Sequence, residues 1–458
     1  MALSASTVFE VRTTGSDSNG GGFVTGASGT DYSQQDTAQY ALTGLTTAAA
    51  NAIILTASAA AAMVGNLINI TGGTNFITGV YQITAVSAGV SITVDRNCTS
   101  AAGTAGLGNV GGAAATLGAI ATVAADQNIC YIKGSSYNVG AVITPWASGI
   151  IEGYTTTRGD NGVVTLVATA AIKIFTLTNG SAVSTLVFRN LALNGNAVGI
   201  SGWEFGTSNR QSLNSLSNCR AYGFTSHGIS HIYYDYVSCV NCKFDSNGGS
   251  GYSQTGGAGI VSLVGCIFSG NTGDGFVDFQ SGTISQCIFS GNGGRGLLIS
   301  FNAFAQLVSN CVFYANTSDG LVMGRTGFSY EFAQTAINCI FYGNGGYGLN
   351  VLSSLPLFSV WMRNCAVGSN TSGATTLDAA RQLNTVTMTG GNPFVNAAGG
   401  DFSLNNTIGA GEACRAAGFY GVFLGAATTG YQDIGAVQHQ DSPAIINTNI
   451  IQRKRKVR

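Results

Sequence analysis

Acid and imidazole groups recur in this 458-residue chain at a spacing that could serve proton transfer. At one recurring position stand His227, Ser250, Asp274, Arg295, Asp319 and Tyr347, separated by 21 to 28 residues. If successive copies stack, Asp274 and Asp319 lie ~9–10 Å apart, near the carboxyl separation of an inverting glycoside hydrolase. Arg295 falls between them, and an Asp-Arg-Asp ladder of ion pairs would keep both acids ionised, which opposes general-acid work. Four residues on, His231, Gln254 and Asp278 share a second column whose later members are Ile299, Met323 and Val351. Polar groups in consecutive copies form either a catalytic cluster or an internal ladder that satisfies itself. The catalytic candidates are therefore Asp278, Asp274, Asp319 and His231. Beside them Tyr233, Tyr234, Asp235 and Tyr236 could offer rings and a carboxylate to a sugar, although stacking inside a core explains tyrosines equally well.

Other chemistries find little footing. The chain has no phosphate-binding loop and no paired Cys-x-x-Cys motif. Cys239 and Cys242 do have that spacing, but Cys242 belongs to a repeated core position, so no metal or cofactor is expected. Of the three histidines, His227, His231 and His439, none lies in a Ser-His-Asp pattern.

The elements that must carry these columns follow from a repeat. Cys219, Cys242, Cys266, Cys287, Cys311, Cys339 and Cys365 each open a variant of Cys-x-Phe-x-x-Asn-x-x-x-Gly. Such a period signals one supersecondary unit stacked on copies of itself. Within a copy Cys242 and Phe244 alternate with Lys243 and Asp245, the period-2 pattern of a short, half-buried strand. Asn247 and the glycines after it supply a turn, since both tolerate left-handed angles, and Gly251-Tyr252 begins another strand. Short strands without helices bury their apolar face only by stacking, at about 4.8 Å per rung, which makes an all-β parallel β-helix. The Cys column and the column Phe244, Phe268, Phe289, Phe313, Phe341 should face inward. Asn247, Asn271, Asn292, Asn316, Asn344 and Asn370 should form an amide ladder. Weaker copies run upstream through Cys219 to Asn190.

These phrases, with their Asn-Cys and Asn-Gly pairs, resemble the right-handed parallel β-helix of the pectate-lyase-like superfamily over residues 190–370. The segment 431–438 (YQDIGAVQ) is similar to the closing phrase of such chains. The resemblance implies a polysaccharide-handling scaffold whose polyuronate-cutting members carry a calcium-binding acid cluster and a catalytic Arg or Lys. Polygalacturonase-like members carry paired aspartates, a Gly-His-Gly and an Arg-x-Lys. This chain departs from both patterns. Ser226-His227-Gly228 echoes the histidine element, but no Asp-Asp pair occurs and the run 453–456 (RKRK) stands at the far end. The opening 9–23 (FEVRTTGSDSNGGGF) is similar to the starts of phage-encoded β-helix proteins.

Composition narrows the field further. Charged residues are only 9%, against about 25% in ordinary globular domains. Small hydroxyl and amide residues dominate, as suits a coiled rod or a shell component. The last six residues hold five of the 19 basic groups, leaving 14 against 20 acidic in the body, or −6. No basic stripe continues into that body, which argues against nucleic acid as a partner. Eleven cysteines at roughly one per coil behave as small buried hydrophobes rather than a disulfide framework. The opening residues lack the basic and apolar regions of an export signal, and no apolar run is long enough to cross a bilayer. Folding in a host cytoplasm, with reduced thiols and no membrane partner, is the expectation.

The expected organisation is an extended N-terminal arm over 1–50, a small β-barrel or sandwich module over 51–102, and a linker over 103–118. The parallel β-helix follows over 119–440, with roughly 13 coils in a rod near 60 Å long, then a basic tail over 441–458. Three functions compete on this frame. The preferred one is a virion structural protein: a phage tail spike, fibre or head-decoration subunit, located in the virion. It would contact other virion proteins through the arm and the basic tail, form a homo-oligomer with a trimer favoured, and bind host polysaccharide. The alternative is a polysaccharide lyase or glycoside hydrolase acting as a depolymerase on the same coil. A bacterial surface adhesin module is the second alternative, and it would need an export route.

Overall fold

The computed structural model describes residues 3–177, 185–206, 212–232, 236–255, 260–278, 282–299, 305–324, 333–352, 359–419 and 432–438. Three long sheets of 13, 11 and 9 strands run along it. One coil shows the plan: Tyr236–Val240 lies in the first sheet, Lys243–Asp245 in the second and Tyr252–Gln254 in the third. Each strand pairs in parallel with its counterpart one coil later, with Cys239 opposite Leu263, Phe244 opposite Phe268 and Tyr252 opposite Phe276.

The repeat columns become physical ladders. Phe244, Phe268, Phe289, Phe313 and Phe341 stack with ring centroids 5.2, 5.1, 5.0 and 4.9 Å apart. Asn271 Nδ2 donates to Asn292 Oδ1 at 3.0 Å, Asn292 to Asn316 at 2.9 Å and Asn316 to Asn344 at 2.9 Å. All eleven thiols are free and buried. Within the column each donates to backbone carbonyls, as Cys266 Sγ does to Cys239 O at 3.3 Å. Burial pushes the thiols of Cys219, Cys266, Cys311 and Cys365 well above their ordinary range.

Between the first and second sheets the chain turns on a single residue, which stands before Leu191 in the first of these coils and before each cysteine of the column in the rest. Asn190, Asn218, Asn241, Gly265, Gln286, Asn310, Asn338 and Asn364 occupy this corner, all with φ between 47° and 65°. Asparagine and glycine predominate because they enter the left-handed region at least cost.

The N-terminal 50 residues differ from the extended arm expected. Thr7–Val11 is a rung of the first sheet, parallel to Asn128–Lys133, with Phe9 and Val11 fully buried. Gly22–Val24 then pairs antiparallel with it and ends the ladder. The separate module is a six-stranded antiparallel sheet reaching from Tyr40–Leu45 to Thr99–Val110, so it begins and ends beyond 51–102. The stretch from Gly103, expected as linker, is strand as far as Val110. Its glycines are dictated by packing: a Cβ on Gly106 would lie 2.5 Å from Phe76 Cε2. Only a short helix, Leu117–Ala121, capped by the Thr116 hydroxyl, follows it.

Coiling also stops earlier than residue 440, since the last strands of the first two sheets are Gln382–Leu383 and Val386–Thr387. The third sheet holds nine described strands, so complete coils fall short of thirteen. A hairpin of Phe394–Asn396 and Asp401–Leu404 folds back over the second sheet's outer face. There Phe394, Phe402, Cys414 and Ile434 pack on Ile288, Val312 and Ile340. Cys414 is pushed up to about 12 by that burial. The expected tail 441–458 lies outside the described residues. No helix among the described residues is long and apolar enough to cross a membrane.

Candidate functional site

The column through Asp274 and Asp319 serves the backbone of the next coil. His227 Nδ1 accepts from the Ser250 amide at 2.9 Å, Asp274 Oδ1 from the Arg295 amide at 2.6 Å, and Asp319 Oδ1 from the Tyr347 amide at 2.6 Å. Burial holds His227 below the ordinary imidazole range, in keeping with a neutral acceptor. Arg295 forks onto Asp274 with Nε to Oδ1 at 3.1 Å and Nη2 to Oδ2 at 3.0 Å. Asp319 takes Asn350 Nδ2 at 3.0 Å instead. The three-membered ion-pair ladder expected is thus one ion pair and one amide contact. Glycines accompany it because a Cβ on Gly294 or Gly346 would stand 2.3 or 2.2 Å from the carboxylate below.

His231 faces the interior of the coil with no exposed surface, and its Nδ1 lies 2.8 Å from the Tyr252 hydroxyl. Gln254 pairs with it in register and is equally buried. Asp278 ends the strand Phe276–Asp278 opposite Ile299; its side chain lies outside what the structure describes. Tyr233, Tyr234 and Asp235 also lie outside the described residues. Tyr236 is half-buried in the first sheet, opposite Leu213. Among the described residues no three His, Cys, Asp or Glu side chains gather to hold a metal.

Charge concentrates elsewhere, on the outer face of the first sheet's early rungs. Glu10, completely buried, receives Arg12 Nε at 3.0 Å, Arg158 Nη2 at 2.7 Å and the Tyr154 hydroxyl. Burial, then the Glu10 contact, pushes the Tyr154 phenol up. Arg158 also lies over the Tyr131 ring, 4.6 Å from its centroid. Arg158 comes from the loop 155–162, which Asp160 organises by accepting the amides of Thr155, Thr156, Thr157 and Gly162. Those donors, Thr156 and Gly162 foremost, hold its carboxyl well below the usual range.

That loop overhangs a groove of about 660 Å³. Its floor holds Glu152 and Arg189, opposite each other on neighbouring strands and 3.5 Å apart. One wall is the asparagine corner at Asn190, Asn218 and Asn241, and the other is Gly159 and Asn161. Asn190 is fixed from both sides: its Nδ2 donates to Gly153 O at 3.2 Å and its Oδ1 accepts Asn218 Nδ2 at 2.9 Å. None of these residues is among the sequence candidates. The Asn-Cys phrase marks Asn218 and Asn241, but Glu152 and Arg189 belong to irregular early coils with no repeat to align them.

Residues 173–335 match the family model for a right handed beta helix region. No curated protein sequence matches the chain. Pectate lyase Pel9A aligns with 72% of this chain and 92% of its own at 17% identity and a TM-score of 0.44. The A-module of the Azotobacter vinelandii mannuronan C-5 epimerase AlgE4 aligns over 57% and 86% at 13% identity and a TM-score of 0.43. ORF18 of Geobacillus virus E2 aligns over 57% of this chain at 15% identity and a TM-score of 0.43, and this chain spans about half of that protein, 52%. The match to that region and the sheet topology together define an all-β protein built on a right-handed parallel β-solenoid, with an additional antiparallel sheet in its N-terminal part.

Proposed function

We propose that this chain is a structural subunit of a phage or virus particle, a tail spike, fibre or head decoration, which presents a glycan-recognition surface. The reading rests on the commitment of the coil's described carboxylates to internal partners. Glu204 pairs with Lys173, Asp245 with Arg220 and Lys243, Asp274 with Arg295, and Asp319 with the Tyr347 amide and Asn350. A carboxylate held this way must break its bonds before it can reach a glycosidic oxygen. The low charge content and the regular solenoid suit a rod that assembles more than a site that cleaves. With the opening segment folded into the first sheet, attachment to other virion proteins falls to the six-stranded module and the basic run at 453–458. Assembly as a homotrimer, after folding in the host cytoplasm, completes the proposal.

Purified particles test it directly. Mass spectrometry should find the chain there at a fixed copy number. The isolated protein should bind host-surface polysaccharide without releasing reducing ends or unsaturated uronates. Release of either product, abolished by combining Asp274→Asn with Asp319→Asn, would transfer the chain to the depolymerase reading.

A further inference from the structure

Resting on that glycan-recognition reading, we propose that the groove beneath the loop 155–162 is the saccharide subsite, and that it takes a neutral ring with vicinal hydroxyls. Its volume of about 660 Å³ lies within the range of small-molecule pockets. Glu152 supplies only acceptors and Arg189 only donors, while the Asn161, Asn218 and Asn241 amides supply both. A sugar hydroxyl is itself donor and acceptor, so this mixture matches a row of hydroxyls. The two charges on the floor compensate each other at 3.5 Å, and an added carboxylate would meet Glu152 beside the guanidinium.

The fold itself shows what this asparagine corner does when covered. Further along the same corner the C-terminal segment lies across it. Gln432 Nε2 donates to Asn310 Oδ1 at 3.1 Å, Asn338 exchanges bonds with the Phe419 amide and carbonyl at 2.5 and 3.2 Å, and Asn364 Nδ2 reaches Ala417 O at 3.3 Å. Corner amides there hold a polar chain by paired donors and acceptors. At Asn218 and Asn241 the same positions line the open groove and are exposed. Asn218 enters it oriented, because its Nδ2 is tied to Asn190 and its Oδ1 remains as acceptor. Stacked strands set the two amides about 4.8 Å apart, along the direction an oligosaccharide would follow.

Calorimetric titration of the full chain with neutral hexaoses of glucose, mannose and galactose, and with hexagalacturonate as the acidic comparison, tests the assignment. At least one neutral hexaose should bind. Arg189→Ala, and Asn218→Gly combined with Asn241→Gly, should each weaken it about tenfold or more. Glycine keeps the left-handed corner and removes only the amide. Thr283→Ala, on the exposed face of the same sheet away from the groove, should bind as the parent does. Binding that survives the groove variants, binding of hexagalacturonate alone, or no binding by the parent chain would each overturn the assignment. The virion reading is decided separately, by particle composition and by the test for product release, neither of which depends on this groove.

Discussion

From Asn271 to Asn370, each asparagine of the inner ladder closes two bonds through one oxygen. Asn292 Oδ1 accepts both the amide and the Nδ2 of Asn271, while its own Nδ2 reaches Phe268 O and Asn316 Oδ1. Asn292→Ala strands those groups in the interior, and the expected cost is about 2–4 kcal/mol in urea unfolding. A loss under about 0.5 kcal/mol, the size of an ordinary surface substitution, would mean that the ladder is ornamental. The thiols make a second prediction at this scale. A thiol reagent should label none of the eleven cysteines in the native chain and all eleven once it is unfolded, because the thiolate is the reactive form and burial disfavours it. These columns were legible in the sequence because stacking demands the same side chain at the same offset in coil after coil. The groove was not, since Glu152, Arg189 and Asn161 meet through strand pairing and a loop fold that no repeated phrase announces. For His231 the sequence left two readings open, a catalytic cluster or an internal ladder, because a column pattern alone does not say which way a polar residue faces; here it faces inward.

Strands of three to five residues joined by one-residue corners leave the corner conformation to decide the register. Gln286 is the instructive case, because its φ of 57° is held without the asparagine or glycine used at neighbouring corners. Gln286→Val should lower stability by about 1–2 kcal/mol, the cost of forcing a side chain into the left-handed region. Gln286→Gly should match or exceed the parent, and thermal unfolding midpoints in the order Gly, Gln, Val would check this. If valine were neutral, the corner would not set the turn. The same scale explains why Thr99–Val110 was missed as a strand. Its glycines and alanines carry little β propensity, and they are there because Phe76, Leu45 and Ile68 press on the backbone at Gly106 and Gly108. Composition reports flexibility at that stretch, whereas packing makes it the centre of a sheet.

Taken whole, the molecule is a stack whose outer second sheet is apolar over its later half and covered there. Ending the chain after Thr387 would uncover Ile288, Val312, Ile340 and Ala366, now between 0% and 8% exposed. Such a patch invites association, so the shortened chain should form polydisperse aggregates in light scattering where the full chain gives one defined species. A monodisperse shortened chain would show that the hairpin is dispensable. The covering was hidden from the sequence because its partners lie far apart, as Val312 and Ile434 do. Distance along the chain also hid the role of Thr7–Val11, whose partner strand starts at Asn128. That pairing has a temporal consequence. A ribosome must deliver more than a hundred further residues before this first strand can find its parallel neighbour, and the antiparallel module, whose contacts are local, is complete by Val110. Translation therefore builds the small sheet first and threads the opening strand onto the stack afterwards, so a pause or truncation between the two events would release a chain whose leading strand is paired only with Gly22–Val24 and open on its other edge.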